Sequence, residues 1–345
     1  MTEPARKTPF ADREHGHKCR RSVLTIGTFD GVHAGHRALL ERAATMAERC
    51  ATGRARVIAL AFDPHPLEAL APERAPARLT TWPQRERLLR EAGAEEVVRL
   101  EPTPALLSLS PAEFIEQLAR DYRPAGIVEG TDFHFGAKRA GDIEMLRSLG
   151  AAHDFVVDIV DQVQCALNDH TIAPASSSLV RWLISRGRVS DAARILGRPY
   201  RMDGIVRRGD RRGRTINYPT ANIESPCLAP ADGVYAGRAH LPDGRLVAAA
   251  ISVGTKPTFD GRDRAVEAYL MDADASATGR SGAWDTLPGL PEYEWDVGLE
   301  FLAFVRDQVR FDTLEELLAQ MARDCEACRA IAETAALCEA AHKGA

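Results

Sequence analysis

A change of rhythm part-way along the chain narrows the fold more than any other feature. From residue 22 to about 187, short β-like runs alternate with helical ones. Residues 23–26, 56–61, 96–100, 126–128 and 155–159 read as buried strands. Residues 37–50, 83–91, 111–121 and 143–149 read as the helices between them. Strands separated by helices pair parallel, so the pattern predicts a doubly wound, Rossmann-like α/β sheet with its ligand site beyond the carboxyl ends of the strands. After residue 187 the pattern changes, with no long helix until the end. Residues 196–200, 204–208, 234–240, 246–253, 266–271 and 295–304 are strand-like and separated by Gly, Pro and Asp turns, until a helical run begins at Leu314. That predicts a compact, mostly antiparallel β-barrel with a C-terminal helix.

Two domains also suit the length, since 345 residues exceed what one hydrophobic core usually organises. The expected division is a flexible N-terminal tail over 1–21, an α/β domain over 22–187 and a barrel domain over 188–345. Residues 272–291, rich in Gly, Ser and Ala, read as a long mobile loop. The net charge of −5 argues against a general nucleic-acid or anionic-membrane binder. No apolar run reaches membrane-spanning length, and the first 21 residues have no apolar signal region, so the cytoplasm is the expected compartment. The seven cysteines show no paired clusters. Cys325 and Cys328 form a C-x-x-C inside a helical run, without the second pair a zinc ribbon needs. Self-association is left open.

Just past the first strand comes Gly27-Thr28-Phe29-Asp30-Gly31-Val32-His33-Ala34-Gly35-His36, followed by a helix. A Gly-rich turn lets backbone approach phosphates, and a helix N-terminus presents free N–H groups and a positive dipole. Two imidazoles three residues apart at a helix start share a face and can neutralise a developing pyrophosphate. In the bland reading one histidine caps the helix and the other is solvated. The stretch resembles the signature of the HxGH nucleotidylyltransferases, specifically the FMN adenylyltransferase half of bacterial FAD synthetases. Further pieces follow in order: Phe62-Asp63-Pro64-His65-Pro66; Gly130-Thr131-Asp132-Phe133-His134-Phe135-Gly136 with Arg139 and Gly141; and Ser176-Ser177-Ser178-Leu179-Val180-Arg181, where Ser178 replaces the family's Thr.

The resemblance implies that His33, His36, Ser178 and Arg181 contact ATP phosphates, with Gly27, Phe29, Gly35 and Ser177 beside them. It implies that Asp30 and His65 order the phosphate site, and that Asp132 and Phe133 hold the flavin or adenine end. An FMN phosphate, with a second pKa of about 6, is already a dianionic nucleophile at neutral pH. Charge neutralisation and in-line positioning should therefore dominate, with Mg²⁺ sharing the load.

The second half carries residues 209–214, Gly-Asp-Arg-Arg-Gly-Arg, and then Tyr218-Pro219-Thr220-Ala221-Asn222. The Thr220 hydroxyl and the Asn222 carbonyl oxygen are hard ligands suited to Mg²⁺, although P-T-A-N alone could be a plain turn. Residues 232–237, 253–259 and 266–270 follow, and in this order the set resembles the riboflavin kinase domain. The resemblance implies that Gly209 and Arg214 lie at the nucleotide, that Glu267 is the general base, and that flavin lies near Arg306 and Phe311. A lone carboxylate in a strand is often a solvated outward residue, and Arg306 could pair instead with Asp307 or Glu300. Two departures stand out: Asn217 replaces the usual Gly, and the 272–291 segment is longer than the family's connection, with Tyr293 standing in for its Tyr.

From about Ser22 to Arg329 the chain resembles the bifunctional FAD synthetases. That implies ATP-dependent conversion of riboflavin to FMN and of FMN to FAD, with small-molecule partners and neither nucleic acid nor membrane. The rivals are a nucleotidylyltransferase for another substrate, a non-catalytic flavin-binding module, and a chain with only its FMN adenylyltransferase half active.

Overall fold

The structure, a computed structural model, describes residues 21–50, 53–209, 218–255, 264–271 and 289–343. Arg214, Asn217, residues 1–20 of the tail and residues 272–288 of the long loop lie outside the described residues. The chain forms two compact units, one comprising residues up to Pro76 with Trp82–Gln164, the other Ala77–Thr81 with Cys165–Ala345.

In the first unit, β1 (Ser22–Gly27), β2 (Arg56–Phe62), β3 (Glu96–Leu100), β4 (Pro124–Gly130) and β5 (Val156–Val160) form one sheet in the order β3-β2-β1-β4-β5. Every neighbouring pair is parallel. Alternate residues serve opposite faces. Val23, Val57, Ala59 and Ala61 pack into one core with Leu40 and Leu89, whereas Leu24, Ile26, Ile58 and Leu60 pack into another with Ile115 and Leu118. Burial on both faces is why the central strands read as apolar runs, and each fully buried Leu or Ile contributes roughly 1.5–3 kcal/mol. Strand β5, expected as a buried strand, instead lies at the sheet edge with no buried residue and with Val156 exposed.

The connecting helices are α1 (Ala34–Glu48), α2 (Pro66–Leu70), α3 (Trp82–Glu91), α4 (Pro104–Leu107), α5 (Pro111–Tyr122) and α6 (Ile143–Ala152). Helix α5 begins where its sequence says it should, with a Ser110/Glu113 capping box and Pro111 in the first turn. The strand order reverses direction between β1 and β4, which makes the gap beyond Gly27 and Gly130 the topological switch point where such folds bind ligands.

The second unit carries a short hairpin, β6 (Gln164–Ala166) and β7 (Ile172–Pro174), then α7 (Ser177–Ser185) and α8 (Val189–Leu196). Strands β8 (Tyr200–Arg207), β9 (Ala221–Glu224), β10 (Gly233–His240), β11 (Leu246–Thr255), β12 (Arg264–Leu270) and β13 (Asp296–Arg306) close into a barrel in the order β10-β11-β12-β9-β8-β13. All its pairs are antiparallel. Helix α9 (Leu314–Lys343) packs through Cys325, Cys328 and Ile331 on Ala236, Ala248 and Ala250 of its outer face.

One strand expectation needs correction. Leu196 ends α8, Gly197 terminates that helix in the left-handed region at φ 67°, and the strand starts only at Tyr200. Helix α7 lies on the N-terminal side of the sequence boundary at Gly187, yet its Val180, Leu183 and Ile184 pack in one core with barrel residues Ile251, Leu299 and Phe301.

Candidate functional site

The first site grows from the end of β1. The loop turns through three left-handed residues, Phe29 at φ 50°, Gly31 at φ 86° and Val32 at φ 42°. A β-branched residue at positive φ is a strained outlier, and such strain persists where the surroundings over-determine it, commonly at functional sites. Phe29 is 1% exposed and its ring lies in the core, so what it offers the site is its backbone. His33 is the N-cap residue of α1, but its side chain makes no capping hydrogen bond, which removes the bland reading for that ring. The His33 and His36 rings instead stack, with centroids 3.6 Å apart, and the Phe29 ring sets its edge against His36 at 5.1 Å. Two imidazoles are thus presented together at the switch point, beside Gly27 and Gly35. The Asp30 carboxylate is buried and turned onto Arg85 at 3.3 Å.

At the end of β2, His65 caps α2: its Nδ1 accepts the Leu67 N–H at 3.1 Å, which places the ring proton on Nε2 and makes that nitrogen a donor. Across the switch point, the Gly130 turn is closed by the Phe133 N–H donating to the Gly130 carbonyl, and Phe133 stacks on Phe135 at 5.6 Å. Asp132 beside it is exposed. The β1–β4 ladder stops at Leu24 and Ile127, and the Glu129 carboxyl takes over from it, accepting the Ile26 N–H at 2.6 Å. Burial pushes this carboxyl well above the usual range, more than the Ile26 hydrogen bond lowers it, and the nearby Asp132 charge raises it further.

Ser177, Ser178 and Arg181 belong to the second unit. Ser176 caps α7 by accepting the Leu179 N–H, which puts Ser177 and Ser178 in its first turn. The Arg181 Nε donates to the Ala77 carbonyl at 2.6 Å.

The second site is written across the barrel wall. Register places Asn222 of β9, Glu267 of β12 and Ser252 of β11 side by side. Paired residues of antiparallel strands point to the same face. Val266 and Ala268 fill the barrel core, so Glu267 faces outward, as the solvated reading supposes. It is nevertheless only partly exposed, and the Thr220 hydroxyl donates to its Oε2 at 3.3 Å. Asn222 lies flat on Gly209, where an added Cβ would meet its Nδ2 at 2.0 Å. Gln308 Nε2 donates to the Ser252 hydroxyl and to the Val253 carbonyl, each at 3.0 Å. Arg306 pairs with neither expected alternative carboxylate: its guanidinium forks onto Asp324 of α9 at 2.6–3.1 Å, donates to the Asp307 carbonyl, and stands 5.9 Å from the Phe311 ring.

Sequence reasoning passed over Arg85, Glu129, Ser252 and Gln308. Arg85 lies among Gln84, Glu86 and Arg87 and reads as solvated; only its spacing of three and four from Leu88 and Leu89 hints at a buried face. Burial pushes the Cys325 thiol up to about 11 and the Cys328 thiol up to about 12, so both stay protonated, as befits packing residues. Among the described residues no group of three or more His, Cys, Asp or Glu side chains could hold a metal.

Fold and sites together define a two-domain transferase, a Rossmann-like HxGH unit joined to a kinase-type barrel. The FAD synthetase family matches residues 16–174, and the riboflavin kinase family matches residues 196–332. The bifunctional riboflavin kinase/FMN adenylyltransferase of Escherichia coli K12 is 33% identical over 304 residues, spanning 88% of this chain and 90% of the relative. That of Pseudomonas fluorescens is 33% identical over 320 residues, spanning 92% and 95%. A crystal structure from Streptococcus pneumoniae, described as a macrolide-efflux protein, superposes with a TM-score of 0.76 at 30% identity, covering 90% of this chain and 94% of that one. The chain belongs to the bifunctional riboflavin kinase/FMN adenylyltransferase family.

Proposed function

We propose that the chain makes FAD from riboflavin in two ATP-dependent steps, the first on the barrel and the second at the α/β switch point. One contrast carries the reading: the barrel site is built around a partly buried carboxylate, whereas the switch-point site is built around paired imidazoles, with the Asp30 carboxylate turned onto Arg85. Hydroxyl phosphorylation needs a base, and adenylylation of an FMN dianion does not.

In the first step the terminal ribityl hydroxyl attacks the γ-phosphorus of ATP, ADP departs, and Glu267 accepts the hydroxyl proton. The Thr220 hydroxyl orients the carboxylate. Thr220 and Asn222 supply neutral oxygens and Glu267 a neighbouring carboxylate, a set that fits an ion shared with ATP phosphates better than a closed protein cage. Thr220 and Asn222 would hold Mg²⁺, which when bound neutralises phosphate charge. In the second step an FMN phosphate oxygen attacks the α-phosphorus of ATP and pyrophosphate departs. His33, His36 and the His65 Nε2–H donate to phosphate oxygens, and the backbone N–H groups opening α1 add their dipole. Ser177, Ser178 and Arg181 are assigned to the ATP phosphates, and Asp132 with Phe133 to the flavin or adenine end. Arg306 serves flavin indirectly, by fixing Phe311 against α9. The functional division near Gly187 is retained as part of this reading.

The net charge of −5 supports small-molecule partners over nucleic acid, and the cytoplasm is the proposed location. Among the described residues no helix is long and apolar enough to cross a membrane.

A chromatographic time course with riboflavin, ATP and Mg²⁺ tests the assignment: FMN should rise and then give way to FAD. FMN accumulating without FAD would remove the adenylylation step, and conversion of supplied FMN alone would remove the kinase step.

A further inference from the structure

A single buried guanidinium ties together the two loops on which the adenylylation site rests. Arg85 of α3 is 3% exposed. Its Nη1 donates to the Thr28 carbonyl beyond β1 and to the Phe62 carbonyl ending β2, each at 3.1 Å. Its Nη2 reaches the Asp30 carboxylate at 3.3 Å, and Asp63 Oδ1 lies 3.5 Å from Nη1. The other Asp63 oxygen takes Arg99 of β3 at 2.6 Å, and the Asp63 N–H donates to the Leu100 carbonyl at 3.0 Å. The carboxyl ends of three adjacent strands are thereby linked by one connected set of hydrogen bonds and ion pairs.

We infer that Arg85 is a positioning residue for nucleotidyl transfer: it sets the spacing between the H-x-G-H loop and the loop bearing His65, so that His33, His36 and His65 address the same phosphates. The inference rests on the proposed role of those histidines. The planar guanidinium, always charged, suits bonding in several directions at once from inside a core. It also settles an electrostatic conflict. Asp30 and Asp63 are two carboxylates at the end of the sheet where polyphosphate must approach, and like charges would oppose that approach. Arg85 and Arg99 neutralise them, leaving the imidazoles and the α1 terminus to set the local potential. Buried as it is, Arg85 acts through the loops, not on substrate.

The full-length protein, assayed for both steps, tests this. Arg85→Met keeps much of the side chain's bulk and removes its charge. Its FMN-to-FAD kcat should fall about 100-fold, with the KM for FMN and the riboflavin-to-FMN rate unchanged. In hydrogen exchange, peptides over 27–33 and 62–66 should lose protection while those over 22–26 and 56–61 keep it; a merely structural role would loosen strands and loops together. Arg85→Lys should recover at least about ten-fold of the lost turnover by restoring charge, and a folded lysine enzyme as slow as the methionine one counts against the proposal. Arg85→Met with protected strands and near-normal FAD output overturns it. Should that variant lose strand protection, Asp63→Asn takes its place: a folded Asp63→Asn enzyme with loosened loops and slowed FAD formation supports the role, and one with wild-type loops and turnover overturns it. His36→Ala separates the two levels. If His36→Ala makes FAD normally, the site reading itself fails; if it is inactive while a folded Arg85→Met is active, only the Arg85 inference fails.

Discussion

The two sites are held in place by different means. At the switch point the candidate groups sit on loops beyond strand ends, where the backbone is left-handed at Phe29 and Val32, His65 caps a helix and Arg85 bonds the Thr28 and Phe62 carbonyls. On the barrel, Glu267, Asn222 and Ser252 lie within strands, and register alone aligns them. A parallel sheet leaves its strand ends open for ligands and must then fix the loops separately. A closed antiparallel barrel fixes side chains to its ladder and needs loops only to cover them.

Glu267→Gln should sharpen this contrast most. FMN formation should fall roughly 10³-fold, with FMN-to-FAD conversion intact; equal loss of both activities would remove the base assignment. His36→Ala should do the reverse on a smaller scale, slowing FAD formation roughly 10²-fold while riboflavin phosphorylation proceeds, as separate assays of the two steps would report. Gly209→Ala probes register-based placement through a neighbour. Its Cβ would occupy the space of the Asn222 amide, so the Mg²⁺ concentration for half-maximal kinase activity should rise about 10-fold, with the FAD step unchanged. A variant with the wild-type Mg²⁺ requirement would show that Asn222 does not hold the ion.

The smallest expected effect concerns stability. The Glu129 carboxyl holds its proton more tightly folded than unfolded, so its contribution is full below its unfolded pKa and is lost as pH rises through the folded one. Glu129→Gln keeps an acceptor for the Ile26 N–H and removes the ionisation. It should stabilise the protein at alkaline pH, with little change in mild acid, as thermal unfolding across pH would show. A destabilised variant at pH 8 would mean that the ionised carboxylate is preferred.

Much of this was legible in the chain itself. The central parallel strands could be read because both faces are buried, the barrel because turn residues punctuate its strands, and the start of α5 from Ser110, Pro111 and Glu113. The H-x-G-H turn could be read as a phosphate site from its glycines and paired imidazoles, whereas P-T-A-N and Glu267 taken alone read as a plain turn and a solvated residue and took their roles from the family resemblance. Strand β9, only four residues long, escaped notice, and Leu196–Tyr200 read as strand where Gly197 in fact ends a helix.

Amino-acid order therefore determined the two kinds of domain, most of their strands and longer helices, and which reactive side chains the chain carries. Tertiary structure alone decided that the His33 and His36 rings stack, that Arg85 among charged neighbours is interior, that Glu129 stands in for a missing rung of the sheet, and that Ser252 lies beside Glu267. Local pattern reports a residue's own preferences. Burial, ion pairing and cross-strand register depend on partners tens of residues away, and they exist only once the chain has closed on itself.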